Sequence, residues 1–447
     1  MYRNHSGLTV VVNIHPLQKE ELRKKLKELN TNPDRLPFSD CESVLFASGV
    51  IINSEKYNNE TLPDIFILAT SYSGKKDDHI QELVSKCKQG LLEILRYGED
   101  FPVSETISDH NLFSYMYSHS LFSDFSSGYD CMTKEDINRE KDLRAKIEDY
   151  LDDAQSTGAF ENRSALEIQT LIQRFVKTRG ADYEWALKPD RKSFWEWVVL
   201  HRSAVTAGII YFLTVLVWYL CNPVCNCMLN RFLSALLYAA LFLTGIVLIT
   251  AGILFFIMWL IARDKNLTAE RQPDEKIRFQ AASQLHPVVN EMTAAGHLKK
   301  GKLRRLYYSF ILRLLAFIYA GSGVPTVSTI RWLATDNKKR MVFLSNYVNT
   351  TDFYVRDFLN GITPIGVNLL FSSAFGFPDA KLLFIKGIGY QPEGYMNAVH
   401  YGQVVTDLWY AHDPNLTVDI INRNRKLRNG LFKKMSEYEA ARWLKLL

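Results

Sequence analysis

The chain of 447 residues is 47% hydrophobic and 23% charged, with a formal net charge of +5. These values are ordinary for a folded chain, so they exclude a disordered tail, a collagen and a small disulfide-rich scaffold. The segment between residues 263 and 305 holds ten basic and five acidic side chains, so it carries the whole net charge. The position of the charge is therefore more informative than its size.

Residues 1–105 predict a first α+β domain. A β-branched run at 8–14 predicts a strand, a charged stretch at 16–29 predicts a helix, and Val44–Ile52 predicts a second strand. Residues 65–84 predict a third strand followed by an amphipathic helix.

Residues 106–200 are interpreted as an aromatic loop and a helical connector. The loop, residues 109–124, interleaves aromatic side chains with histidines. Such a mixture can line a small-molecule pocket, but packing of the aromatics on the first domain explains it equally well and is preferred. Thr133 and Asp136 have the spacing of a capping box, which predicts a helix start, and a second helix is predicted over 164–177.

Residues 203–262 predict a two-helix transmembrane hairpin. The stretches 203–230 and 232–262 carry no charge, and each is long enough to cross a bilayer as a helix. The flanks are richer in Lys and Arg than the joining turn, so both termini are expected in the cytoplasm. The expected location is a bacterial inner membrane or its equivalent.

Three cysteines lie near the turn of this hairpin, at Cys221, Cys225 and Cys227. Close thiolates can bind zinc or copper, but no histidine lies nearby to complete a metal site. They can equally be apolar fillers at a helix end, or a disulfide if the turn faces an oxidising space. The sequence leaves their role open.

After a basic juxtamembrane linker at 263–285, residues 286–447 predict a second copy of the α+β domain. Strands are predicted at 288–295 and 326–335, with a helix at 302–319 between them. An offset of 275 residues then places Tyr72 on Tyr347 and Asp77 on Asp352. Each half has the order β-α-β-β-α-β, which is ferredoxin-like.

The predicted fold class is therefore α+β. Two ferredoxin-like repeats would form a pseudo-dimer resembling a dimeric α+β barrel, interrupted by the transmembrane hairpin. The two halves would pair internally, because each open sheet has an apolar face that it cannot cover alone.

A basic cluster precedes an apolar stretch at residues 306–323. Its cations can lie over anionic lipid headgroups, with the helix on the bilayer surface. The same stretch can be the first helix of the second repeat, packed on its sheet, and both interpretations can hold together. The only basic patch near the C-terminus is short, so no nucleic acid partner is expected. The predicted membrane-surface residues are Lys299, Lys300, Lys302, Arg304 and Arg305.

Four segments of the second half are distinctive: Ser345-Asn346-Tyr347 with Asp352, the AFGFP run at 374–378, the run from Leu408 to Leu431 and the closing EAARWLKLL. With them the chain resembles a family of uncharacterised, mainly bacterial membrane proteins, and the resemblance covers both soluble halves and the hairpin. The resemblance implies two ferredoxin-like halves around a membrane segment, and it implies no particular activity. The halves are in turn similar to the dimeric α+β barrels of dye-decolorising peroxidases and chlorite dismutases, which is an analogy of fold.

That analogy makes haem the sharpest cofactor hypothesis, with His286, His297 and His400 as candidate axial ligands. The GxxDG motif of the dye-decolorising family is absent, because the chain contains no Asp-Gly pair. No nucleotide-binding, metalloprotease or serine-hydrolase motif occurs either. We therefore expect a membrane-anchored ligand-binding or scaffold protein without assigned catalytic residues, and a haem-dependent, peroxidase-like oxidoreductase using the barrel cleft is the alternative.

Overall fold

The computed structural model is a mixed α+β structure with antiparallel sheets. It describes residues 5–15, 17–102, 107–129, 132–189, 194, 197–198, 202–221, 228–262, 269–283, 286, 288–318, 326–360, 370–371, 373–377 and 392–447. Cys225, Cys227, Arg263, Lys265 and Pro378 lie outside these residues, as does the side chain of Cys221.

The strands match the predicted β-branched runs closely and add others. They are β1 His5–Asn13, β2 Val44–Ile52, β3 Glu55–Tyr57, β4 Glu60–Leu62, β5 Ile65–Ser73, β6 Ser123–Ser127, β7 Val289–His297, β8 Val327–Thr335, β9 Arg340–Val348, β10 Gln403–Val404 and β11 Thr406–Ala411.

The helices follow the amphipathic stretches between these strands. They are α1 Lys19–Thr31, α2 Lys76–Leu95, α3 Asp109–Ser118, α4 Lys134–Ser156, α5 Ala165–Thr178, α6 Arg202–Cys221, α7 Met228–Ala262, α8 Asp274–Ser283, α9 Lys302–Ile318, α10 Thr351–Asn360, α11 Pro392–Gly402, α12 Val418–Gly430 and α13 Glu437–Leu444.

Each large sheet contains one strand from the other half of the chain. Among the described residues the first sheet has the order β1-β5-β2-β11, and the second has the order β10-β7-β9-β8-β6. Strand β11 comes from the C-terminal part and pairs with β2, whereas β6 comes from the N-terminal part and pairs with β8. The two halves are thus joined by main-chain hydrogen bonds in both directions.

The outer faces of the sheets are covered by helices. On the first sheet, Leu22, Leu26 and Leu83 from α1 and α2 pack with Leu8 and Phe66 of the strands. On the second sheet, α9, α10 and α11 supply Tyr308, Tyr354 and Val399 to a cluster that contains Met292 and Phe343. Alternation along each strand sends one set of side chains to these helices and the other set to the opposite sheet.

The inner faces of the two sheets pack against each other. Val50, Ile67 and Ala69 of the first sheet share an apolar cluster with Leu333 and Leu344 of the second. Buried apolar side chains therefore fill this part of the layer between the sheets.

The segment predicted as a connector packs against both halves of the chain. Helix α3 packs on the first core through Leu112, Tyr115 and Met116. Helices α4 and α5 pack with α12 and α13 around Leu427 and Trp443. The capping box predicted at Thr133 is present, with both reciprocal hydrogen bonds to Asp136.

Helices α6 and α7 form an apolar pair. Val215 packs with Ala235 and Ala239, and the rings of Trp218 and Tyr238 stack with centroids 4.6 Å apart.

Candidate functional site

Helix α7 contains a stretch that is long and apolar enough to cross a membrane. Within the described residues, Leu233–Ile253 is the one helical stretch long and apolar enough to cross a membrane, and Ala204–Trp218 in α6 is a shorter apolar stretch. Large side chains of α7 such as Phe242, Val247 and Leu248 are at least 60% exposed. An apolar helix with this much exposed surface is typical of a membrane span, not of a soluble core.

The predicted basic cluster comprises Lys299 and Lys300 before α9 and three residues in its first turn, and these five differ in exposure. Lys300 and Lys302 are exposed, and Lys299 and Arg305 are partly exposed. Arg304 differs from the prediction because its side chain is only 4% exposed and faces the body of the protein. Its burial results from helical periodicity, which turns position 304 to the same side as Tyr307 and Tyr308.

A fully buried arginine joins the two sheets. Arg331 Nη1 donates to the backbone oxygen of Leu8 at 2.6 Å and to Thr9 Oγ1 at 3.0 Å. Its Nη2 donates to the backbone oxygen of Thr70 at 2.7 Å and to Ser71 Oγ at 3.1 Å. Burial lowers the pKa of Arg331 to about 9, which leaves the guanidinium protonated at neutral pH.

A second buried arginine holds the small β3–β4 hairpin against the second sheet. Arg340 Nε lies 3.1 Å from Glu55 Oε1, and Arg340 Nη2 donates to the backbone oxygen of Pro63 at 3.1 Å. Its Nη1 lies 3.2 Å from Asp336 Oδ2. His297 completes the group, with Nδ1 3.1 Å from the other Glu55 carboxylate oxygen.

A buried carboxyl group, that of Glu291, lies between the sheets near the start of β7. Thr293 donates a 2.7 Å hydrogen bond to Glu291 Oε1, and Thr406 bonds to the second carboxyl oxygen. Burial raises the pKa of Glu291 to about 7. The group is therefore part protonated near neutral pH, although the sequence gives no sign of it.

A polar cleft of about 790 Å³ lies beside α2. At its base the Ser43 hydroxyl bonds to the Glu82 carboxylate and lies 2.6 Å from His79 Nδ1. His79 Nε2 in turn lies 2.7 Å from Thr70 Oγ1. The cleft is lined by Glu42, Ser43, Ser73, Gly74, Lys75, Asp78, His79, Gln81, Glu82, Ser85, Thr133 and Glu135.

Burial and hydrogen bonds hold the groups at the base of this cleft in place. Burial, with the charge of Arg331 in second place, lowers the pKa of His79 to about 3, so its ring is neutral. Glu82 also accepts from the backbone N–H groups of Glu42 and Ser43. The Ser43–Glu82 pair therefore fixes the loop before β2 to α2 and gives the cleft a rigid base.

The three predicted haem-ligand histidines do not come together. His297 is the last residue of β7, whereas His286 lies before the first residue of this strand, which is about 27 Å long by its rise per residue. His286 stacks on Trp409 with centroids 4.1 Å apart. His400 lies on α11, with Nε2 3.2 Å from Asp352 Oδ1 and Nδ1 buried without a hydrogen-bond partner among the described residues. Haem binding therefore stays a prediction.

The structure also shows where the aromatic loop and two of the cysteines lie. Within the predicted aromatic loop, Tyr115 is buried against the first core, as the packing interpretation expects. Cys41 and Cys87, far apart in sequence, are buried with their sulfur atoms 3.6 Å apart. Across the described residues, no group of three or more His, Cys, Asp or Glu side chains is arranged to hold a metal ion.

Sequence reasoning missed Arg331, Glu291 and the cleft around His79. The sequence signal that could have pointed to Arg331 is a charged residue within an otherwise apolar strand pattern. A glycine within another strand can mark a place where a second segment approaches closely. The cleft combines residues from three separate segments, so no local motif marks it.

Comparison with known proteins gives no assignment. No protein-family model, curated protein or solved structure matches this chain.

Proposed function

We propose that this chain is an integral membrane protein whose two ferredoxin-like halves form a pseudo-dimeric ligand-binding or scaffold body on the cytoplasmic side. The observation that carries the proposal is the exposed apolar surface of α7, of which Leu233–Ile253 is long enough to span a bilayer. Helix α6 packs beside it and would complete a two-helix hairpin.

The strand orders support the ferredoxin-like interpretation of the halves. In the second sheet β10, β7, β9 and β8 lie side by side, which is the spatial order 4-1-3-2 of a β-α-β-β-α-β unit. The first sheet has β1, β5 and β2 in the corresponding order 1-3-2.

The polar cleft beside α2 is the proposed ligand site. Its carboxylates, from Glu42, Asp78, Glu82 and Glu135, outnumber the single lysine of its lining, so we expect a small polar ligand that carries positive charge. Thermal shifts of the detergent-solubilised chain with polyamines and with neutral polyols would test this. Asp78→Asn with Glu135→Gln should abolish a polyamine shift, whereas Asp149→Asn with Asp152→Asn, outside the cleft, should leave it unchanged.

The topology is tested with reporter fusions at residues 1, 226 and 447. We expect the reporters at residues 1 and 447 to be cytoplasmic and the reporter at residue 226 to be external. Membrane insertion is supported if the parent chain stays in the membrane fraction after alkaline extraction. A variant that lacks residues 203–262 should be released by the same treatment. An external C-terminus would overturn the proposed orientation.

A further inference from the structure

The outward face of α9 combines apolar and basic side chains. Leu303, Leu306 and Phe310 are 46%, 65% and 45% exposed. They recur at three- and four-residue spacing, so they form one stripe along the helix. Lys302 and Arg313 are exposed along the same stripe.

The opposite face of α9 is fixed in the body of the protein. Tyr307, Tyr308, Ile311 and Leu312 are at most 4% exposed and belong to the core on the outer side of the second sheet. Rotation of the helix to hide the apolar stripe would remove these side chains from the core. The stripe is therefore a lasting feature of the surface.

Helix α9 also lies next to the apolar helix pair. Helix α9 contacts α6, whose Ile209, Phe212 and Leu213 are at least half exposed. If α6 and α7 enter a bilayer, the contact with α6 keeps α9 close to that bilayer.

We propose that this face of α9 lies in the interfacial layer of an anionic bilayer. Leu303, Leu306 and Phe310 would reach the acyl-chain boundary, while Lys302 and Arg313 would extend to the phosphate groups. The inference rests on the proposed membrane anchoring and adds a second, lipid-selective contact to it. The interpretations of α9 as a core helix and as a membrane-surface helix then both hold, one for each face.

Charge favours a lipid surface over a second copy of the chain. Helix α9 contains no acidic residue, and the preceding segment adds Lys299 and Lys300. Two copies of this face would bring like charges together, whereas anionic headgroups neutralise them.

The test uses the full chain in nanodiscs, with an NBD fluorophore on Leu306→Cys. Cys131, Cys221, Cys225 and Cys227 are replaced by serine, and the buried pair Cys41 and Cys87 is kept. In discs of phosphatidylcholine with phosphatidylglycerol, we expect a blue-shifted emission and loss of fluorescence with brominated lipids. The same label on Tyr438→Cys, an exposed aromatic on α13, should show neither.

A label on Leu241→Cys of α7 separates this inference from the anchoring itself. Quenching at both 241 and 306 supports the inference, and quenching at 241 alone overturns it but leaves the anchoring intact. Absence of quenching at positions 241 and 306 refutes the membrane anchoring as well as the lipid contact of α9. A blue shift at position 306 that depends on the number of chains per nanodisc, and not on the lipid composition, would assign this face to self-association. That result also overturns the inference.

Charge reversal provides an independent readout. Lys300→Glu with Lys302→Glu should weaken the dependence of the 306 signal on phosphatidylglycerol. Lys433→Glu with Lys434→Glu makes the same charge change at another exposed pair and should leave it intact. An equal effect of both pairs would show that net charge, and not this face, governs the signal.

Discussion

Arg331 Nη1 donates a 2.6 Å hydrogen bond to the backbone oxygen of Leu8, a residue 323 positions earlier in the chain. The guanidinium lies between the two sheets, and its acceptors in the first half are carbonyl and hydroxyl oxygens. A buried charge of this kind is tolerated only when its donors are satisfied, so the position of the first sheet is fixed relative to the second.

The two halves should associate without the apolar helices α6 and α7. We expect residues 1–200 and 263–447, coexpressed as separate chains, to co-elute in size-exclusion chromatography, because β6 belongs to the second sheet and β11 to the first. Arg331→Ala should weaken the complex, because it leaves the carbonyls of Leu8 and Thr70 without their donor. Independent elution of the unmodified halves would refute the pseudo-dimer.

Gly7 and Arg331 should show strong coupling in a double-mutant cycle. A Cβ atom at position 7 would lie 2.8 Å from Arg331 Nη2, so Gly7→Ala forces the guanidinium to move. We expect Gly7→Ala to lower the free energy of unfolding by about 1–3 kcal/mol in the parent chain. In an Arg331→Ala background the same change should cost less than about 1 kcal/mol.

Gly296 provides the matched control for that cycle. It also lies in a strand, β7, but a Cβ atom there meets no atom within 4 Å. Gly296→Ala should therefore be close to neutral with or without Arg331. Equal costs at Gly7 in both backgrounds, measured by chemical denaturation, would contradict the close contact.

Glu291 should make the stability fall as the pH rises. Its pKa is raised by burial to about 7 in the folded state, above the ordinary value of about 4.3 in the unfolded chain. Between these values the folded state binds more protons, so the free energy of unfolding decreases with pH. The resulting decrease in the free energy of unfolding, on the order of 3 kcal/mol, is complete above pH 7 and absent below pH 4.

Glu291→Gln removes this titration but keeps an oxygen that can accept from Thr293 or Thr406. We expect the variant to be at least as stable as the parent chain at pH 8, with the difference between them shrinking towards pH 5. Denaturation midpoints across this range measure the effect, with the exposed Glu275→Gln as control. A difference that does not change with pH would count against a buried, titrating Glu291.

Haem supplied to the detergent-solubilised chain should give no Soret band. Side chains such as Val50, Ile67 and Leu344 fill part of the space between the sheets, and His297 is engaged by Glu55. A visible spectrum after desalting is the measurement. A band that disappears in His400→Ala would instead establish haem binding at α11, where Nδ1 is buried.

Much of the secondary structure could be predicted from local pattern. The β-branched run at Val44–Ile52 is a strand with those bounds, and the spacing of Thr133 and Asp136 marks the start of α4. Strands β6 and β11 were missed because their sequences, SDFSS and TDLWYA, lack a strong alternating pattern. They become strands by pairing with β8 and β2, which is a long-range effect that no local window contains.

The candidate sites likewise depend partly on local sequence and partly on long-range contacts. The basic cluster from Lys299 to Arg305 is visible as composition, but the periodicity of α9 decides that Arg304 turns inward. The cleft around His79 requires the loop before β2, the start of α2 and the start of α4 to meet. Only folding brings these segments together.

The sequence by itself determined the mixed α+β class, most strand and helix positions, and an apolar segment that can span a membrane. These properties depend on periodicity and run length, which are local. The tertiary structure alone decided that each half contributes a strand to the other half's sheet, that Arg331 and Glu291 are buried between the sheets, and that α9 has a core face and an outward face. These outcomes depend on contacts between residues hundreds of positions apart, whose free energy is gained only when both halves are in place.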